Sequence, residues 1–314
     1  MAAVEIERVT KTFRGHVAVD DLSLEVPEGC IYGFIGPNGS GKTTTLRMIM
    51  RILHPDRGAI RVLGDESFRA ASDRVAYLPE ERGLYKQMKV RDVLRFYAEL
   101  KGLRHSGPAI AEWLERLGLA DWAGRRVEAL SKGMAQKVQF IAAVVARPEL
   151  VLLDEPFSGL DPVNLDVLRD AVLRLRRAGT TVIFSTHDMA VAERLCDFIF
   201  MIYKGRKVLD GSLEAIQGAH GSDTLRVHLE GNGAGLDGLP GVAKVTDFGR
   251  WQELRLERGA DPQAILARLM QRGRVRHFEQ ARPTLHDLFV RIAGPEAAIP
   301  HAIEPTLSGD GQHA

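Results

Sequence analysis

The sequence predicts an α/β protein with a mostly parallel core sheet, followed by a small α+β unit. Three observations carry this. A short apolar run from Cys30 to Ile35 leads into the glycine-rich stretch Gly36-Pro37-Asn38-Gly39-Ser40-Gly41-Lys42-Thr43, and helical spacing follows at Leu46, Ile49, Met50 and Leu53. Strand-like, helical and strand-like segments then return at 151–153, 165–175 and 181–185, the alternation that a parallel sheet requires. After residue 218 the composition changes, and short alternating runs precede a capped helix.

Taken in order, Val4, Ile6 and Arg8-Val9 start an alternating strand, and Leu22-Ser23-Leu24-Glu25-Val26 continues the pattern before Pro27. These are read as antiparallel N-terminal strands. Pro55-Asp56-Arg57-Gly58 is a turn that closes the strand–loop–helix unit. From about 90 to 130 the spacing is helical, through Val93, Leu94, Tyr97 and Leu100 and then Ile110, Trp113, Leu114 and Leu117, which predicts a helical insert. The apolar Ile199-Phe200-Met201-Ile202 and the turn at Lys204-Gly205-Arg206 close a first domain spanning 1–218.

A second domain, 222–293, has alternation at Leu225-Arg226-Val227-His228-Leu229, at 242–245 and at Leu254-Arg255-Leu256. Asp261 is placed to cap a helix that begins with Pro262, and Thr284 with Asp287 forms a second capping pattern. A ferredoxin-like α+β unit is expected. Residues 294–314 lack periodicity and are expected to be a disordered tail.

A length of 314 residues suits two domains better than one, and 45% hydrophobic with 26% charged residues describes a soluble globular chain. A net charge of +1 gives no electrostatic case for binding nucleic acid. Cys30 and Cys196 are the two cysteines, so no disulfide framework is implied, and a reducing, cytoplasmic setting fits. The first residues lack the charged start and apolar core of a signal peptide. Apolar runs such as 140–146 fall well short of the roughly 20 residues that span a bilayer.

The glycine-rich stretch follows a strand and opens a helix, the context in which backbone N–H groups turn onto phosphates and the helix N-terminus adds partial positive charge. Lys42 should reach the β- and γ-phosphates, and the Thr43 hydroxyl should ligate Mg²⁺. The run Leu150-Val151-Leu152-Leu153-Asp154-Glu155-Pro156 is a buried strand ending in two carboxylates. Asp154 can hold the metal through water. Glu155 is placed to orient or deprotonate an attacking water. His187, just past a strand end, can touch the γ-phosphate and couple that contact to Glu155. The bland alternative, a satisfied surface or core histidine, explains neither the motif order nor the position.

With Leu130-Ser131-Lys132-Gly133-Met134 lying shortly before that strand and Ser158-Gly159-Leu160-Asp161 just after it, the chain resembles the ATP-binding subunit of an ABC transporter over about 4–218. The resemblance implies an ABC-type P-loop cassette that hydrolyses ATP with Mg²⁺. The ATP-binding residues it implies are Gly36, Asn38, Gly39, Ser40, Gly41, Lys42, Thr43 and Thr44, with Phe13 stacked on adenine. It further implies that Ser131 and Gly133 bind the γ-phosphate held by an opposite subunit, so that ATP joins two copies head to tail across the 158–161 loop. For Phe13 ordinary core packing stands as the alternative. An integral membrane permease must then supply the channel, with the cassette peripheral on the inner face of the cell membrane.

Two departures from the usual pattern stand out. Lys132 and Met134 replace a glycine and a glutamine of the commonest signature. In Tyr77-Leu78-Pro79-Glu80-Glu81, Glu80 stands where a glutamine usually senses Mg²⁺ and the water, so Glu80 joins Thr43 and Asp154 as a metal candidate. Both departures, with the end segment Pro283-Thr284-Leu285-His286-Asp287-Leu288-Phe289, resemble bacterial exporter cassettes of the sodium-extrusion type that carry a small C-terminal domain.

The rival reading is a soluble ABC ATPase acting on ribosomes or DNA, but one phosphate loop and a short insert fit it poorly. A metabolic P-loop kinase leaves residues 130–134 unexplained. Arg272, Arg274 and Arg276 read as a solvated face or a subunit contact and not as a nucleic-acid site, Cys196 as a small buried residue, and Trp113, Trp122 and Trp251 as packing anchors.

Overall fold

Alternation of apolar and polar residues starts the fold. In the computed structural model, which describes residues 1–67, 71–81, 83–219, 224–230, 236 and 238–294, β1 (Ala2–Phe13) pairs antiparallel with β2 (His16–Pro27). The fully buried β3 (Ile31–Ile35) feeds the glycine-rich loop and α1 (Lys42–Ile49). β4 (Arg57–Val62) then returns to pair antiparallel with β1, giving a three-stranded sheet in the order β2-β1-β4. β5 (Val75–Leu78) opens the way to the helical insert, α2 (Val90–Leu100) and α3 (Gly107–Arg116). α4 (Lys132–Val144) follows, and Ser131 caps it by accepting a hydrogen bond from the Met134 N–H.

β6 (Leu150–Asp154), α5 (Pro162–Arg177), β7 (Thr181–Thr186), α6 (Met189–Leu195), β8 (Phe198–Tyr203), β9 (Arg206–Ser212) and α7 (Leu213–Ala219) complete this part. The main sheet has the order β5-β6-β7-β3-β8-β9, parallel throughout except for the β8–β9 hairpin. Its central strands are buried on both faces and therefore read as continuous apolar runs. Period-two geometry sorts their side chains. Val151, Leu153, Val182 and Phe184 pack towards α2, α3, α4 and α5. Leu150, Leu152, Ile183, Tyr32 and Phe34 pack with residues of β1, β2 and α1 in a second core. Trp113 meets Phe140 edge-on at 5.9 Å and is a packing anchor.

The chain divides into two units, Met1–Ile216 and Gln217–Ala314. In the second, β10 (Thr224–Leu229), β11 (Val242–Asp247), β12 (Gln252–Leu256), α8 (Pro262–Arg272), β13 (Val275–Ala281) and α9 (Leu285–Ala293) build an antiparallel sheet of order β11-β12-β10-β13. With β10 inside the sheet between β12 and β13, the strand order is that of the ferredoxin-like unit; the described part of the link from β10 to β11 carries no helix. The caps stand where the residues suggested. Asp261 accepts from the Gln263 N–H, and Thr284 and Asp287 form a reciprocal capping box. Arg276 is exposed, as read, but it lies within β13, a strand that the sequence reading did not assign. Trp251 differs from the packing anchor expected: it is an exposed ring over which Arg226 sits at 5.0 Å. Of the tail expected over 294–314, all but Gly294 lies outside the described residues.

Leu225, Val227, Leu254, Leu256, Ile265 and Leu269 form a core belonging to the second unit. A chain ended after residue 221 is therefore expected to keep a folded first unit that still binds ATP, checked by circular dichroism and nucleotide titration. An insoluble fragment, or one blind to nucleotide, would show that the two units do not fold independently.

Candidate active site

Parallel pairing collects the motifs at one edge of the main sheet. Asp154 of β6 lies opposite Ser185 of β7, Ile35 of β3 lies opposite Thr186, and Leu78 of β5 lies opposite Leu153. The parallel strands therefore deliver their C-terminal residues to the same rim, where ligands of open α/β sheets bind. A cavity of about 200 Å³ opens there, lined by Ala18, Asn38, Gly39, Gly41, Lys42, Thr43, Thr44, Glu80 and Glu155. Cavities of about 550 and 430 Å³ beside α3 and α5 are larger but hold none of the motif residues.

Two glycines of the loop are dictated by space. A Cβ on Gly36 would sit 2.2 Å from the Ile202 carbonyl oxygen, and one on Gly41 would sit 2.6 Å from that of Ala18. Both also hold positive φ, +159° and +110°, which side chains rarely adopt. Ser40 is buried, and its hydroxyl has no hydrogen-bond partner among the described residues. A buried orphan hydroxyl in a cradle of glycines is what a bound oxyanion would satisfy.

Lys42 is buried, and its ammonium donates to the carbonyls of Gly36 at 2.7 Å and Pro37 at 3.1 Å, with Glu155 Oε1 at 3.7 Å. Burial lowers its pKa below the ordinary value, against the opposing pull of Glu155, Asp154 and Glu80.

Asp154 is fully buried and accepts hydrogen bonds from the Thr43 hydroxyl at 3.1 Å, the Ser185 hydroxyl at 2.6 Å and the Tyr77 phenol at 3.3 Å. Burial, then the Asp154 charge, pushes the Tyr77 phenol up to about 12, so it stays a donor. Glu155 follows with φ +48°, a left-handed backbone rare for a residue with a side chain and costing roughly 1–3 kcal/mol. The strained turn is pinned by a 3.0 Å hydrogen bond from the Glu155 N–H to Ser185 Oγ. Its carboxylate lies 3.1 Å from His187 Nδ1 through both oxygens.

The structure thus brings Lys42, Thr43, Asp154, Glu155 and His187 together, with Glu80 exposed at the cavity wall. It does not bring Ser131 and Gly133 to the same cavity. Ser131 is exposed at the start of α4, and a Cβ on Gly133 would meet Leu160 and Asn164 at 3.5 Å, beside the 158–161 loop. Phe13, at the end of β1, is 41% exposed, with Lys11 Nζ 5.5 Å from its ring centroid, so the ring is not a core residue.

Ser185 was the residue that motif reading missed. Its signal was present: a hydroxyl inside the wholly buried strand β7 must find partners, and it finds both Asp154 and the Glu155 backbone. Ser185→Ala is expected to lower stability by about 1–3 kcal/mol, because it leaves the Glu155 N–H buried without an acceptor. Urea unfolding of the purified variant checks this, and an unchanged midpoint would mean that the turn is held by other means.

The family model described as ABC transporter matches residues 19–158, and that described as ATP-binding protein DrrA1-3-like, C-terminal domain, matches 211–293. The uncharacterized ABC transporter ATP-binding protein YhaQ of Bacillus subtilis (strain 168) is 41% identical over 291 residues, covering 92% of this chain and 98% of that one. The chain belongs to the ABC transporter ATP-binding protein family. Nod factor export ATP-binding protein I of Burkholderia orbicola (strain AU 1054) is 33% identical over 303 residues, covering 94% of this chain and 98% of that one.

A solved structure titled "Structure of ATP binding subunit of ABC transporter" superposes with a TM-score of 0.66 at 26% identity, covering 85% of this chain and 99% of that one. This ABC ATP-binding subunit therefore binds ATP and is an ATPase by family, and its membership implies a membrane permease as partner. Among the described residues no helix is long and apolar enough to cross a membrane.

Proposed function

We propose that the chain is a Mg²⁺-dependent ATP hydrolase that closes head to tail on a second copy around ATP and opens on hydrolysis. Through these movements it drives a permease in export, from the inner face of the cell membrane. The observation that carries this reading is the division of the motifs. Lys42, Thr43, Asp154, Glu155 and His187 gather at one cavity, while Ser131 and Gly133 stand apart on the exposed start of α4. One chain holds two halves of a site that only a second copy can complete.

Within the cavity the roles follow from placement. The loop N–H groups and Lys42 neutralise the β- and γ-phosphates. Glu155 takes the proton of the attacking water, and His187, 3.1 Å from both carboxylate oxygens, fixes its orientation and would couple it to the γ-phosphate. Thr43 and Asp154 offer the hard oxygen donors that suit Mg²⁺, which keeps part of its water shell and needs few protein ligands. Glu80 at the cavity wall is the further candidate. When bound, Mg²⁺ supplies charge neutralisation on the phosphates. Phe13, exposed and flat, suits the adenine face. Lys132 reaches the neighbouring loop, since a Cβ on Gly159 would sit 3.2 Å from its Nζ.

Export is supported by the relative named for Nod factor export, which is similar to this chain over both units, and by the DrrA-like match at 211–293. Purification from its host in mild detergent is the test. A membrane-spanning protein is expected to accompany the chain; ribosomes or DNA in its place would overturn the transporter reading in favour of a soluble ATPase.

A further inference from the structure

The segment that carries Glu80 has almost no scaffold of its own. β5 ends at Leu78, Pro79 has no N–H to donate, and no backbone-to-backbone hydrogen bond among the described residues involves Pro79, Glu80, Glu81, Gly83 or Leu84. A side chain from another element holds it. Gln139 is buried in α4 between the core residues Val138 and Phe140, and its amide nitrogen donates to the carbonyls of Pro79 and Glu81, each at 3.2 Å. Those two carbonyls bracket Glu80. Further along, the Tyr97 hydroxyl reaches the Gly83 carbonyl at 3.4 Å. The Gln139 amide oxygen is buried with no partner among the described residues. A glutamine that leaves one polar atom unpaired is a poor choice for packing, so its two donated bonds are the reason for its presence.

We propose that Gln139 is a positioning residue for ATP hydrolysis. By gripping the peptide groups on either side of Glu80, it sets that carboxylate at the cavity that holds Lys42 and Glu155. Because Gln139 belongs to α4, whose first turn follows Ser131, the grip also ties Glu80 to the surface that meets the second copy. One turn earlier, Gln136 donates to the Pro156 carbonyl at 3.2 Å, so the same helix holds the segment just after Glu155. This rests on the proposed role of Glu80 at the metal and water.

A double-mutant cycle on the purified full chain tests it, comparing the parent, Gln139→Met, Glu80→Ala and the pair. Hydrolysis is followed against Mg²⁺ concentration, alongside ATP affinity and thermal midpoint. Gln139→Met removes both donors at similar volume. It is expected to slow turnover about 10-fold and raise the Mg²⁺ requirement, with ATP affinity held within about twofold, and the pair should be no slower than Glu80→Ala alone.

Parental turnover by Gln139→Met, or losses that multiply in the pair, would overturn the positioning role. Parental turnover by Glu80→Ala would instead remove the role given to Glu80, and the grip with it. If Gln139→Met does not fold, Gln139→Asn enters the same cycle. It keeps the amide but draws it back by one methylene, and the same outcomes decide.

Discussion

Lys42→Ala is expected to reduce hydrolysis to the background of a phosphate-release assay and to weaken ATP binding. The Lys42 ammonium is held on the carbonyls of Gly36 and Pro37, 3.7 Å from Glu155, inside a cavity whose other charged walls are carboxylates. Without it, the charged side chains left lining that cavity among the described residues are the carboxylates of Glu80 and Glu155. Loss of one preorganised charge-stabilising donor costs about 10²–10³-fold in comparable sites, and Lys42 carries a full charge where those donors are dipoles. Circular dichroism checks that the variant stays folded. Near-parental turnover in folded Lys42→Ala would remove Lys42 from the chemistry.

Glu155→Gln should separate binding from chemistry. The amide keeps the shape of the carboxylate and stays within reach of His187, but it cannot take the proton of the water, and hydrolysis should fall by about 10²–10⁴-fold. The phosphate loop and the start of α4 are untouched, so ATP should hold two copies together far longer than in the parent. Light scattering coupled to gel filtration should then show a dimer with Mg-ATP and a monomer with ADP, since in the proposed sandwich only the γ-phosphate would bridge to Ser131 of the other copy. Adding Ser131→Arg should abolish the dimer by crowding that bridge. A variant that stays monomeric at saturating ATP counts against the sandwich. Full hydrolysis by Glu155→Gln removes Glu155 as the base.

How far motif reading reaches depends on what each residue needs. Where a residue's task is local, as with the caps at Asp261 and Thr284, spacing along the chain is enough, because the partners lie within a few positions. The partners of Ser185 and Gln139 could not be read for the opposite reason. They lie 31 and 60 residues away, and only the pairing of β6 with β7 and the packing of α4 bring them together. Arg276 in β13 shows a further limit: a strand whose outward face is charged leaves no apolar alternation to read.

By itself the chain determined the nucleotide chemistry, the parallel core and the presence of a second small unit, since each is written in residue types at short, fixed spacing. The tertiary structure decided the left-handed turn at Glu155, the Ser185 link that pins it, and the hold of Gln139 on the Glu80 segment. It also decided that Ser131 stands away from the cavity that contains Lys42. The physical reason is that hydrogen bonds and burial act on distance in space, which the register of the sheet sets and the order of residues alone does not.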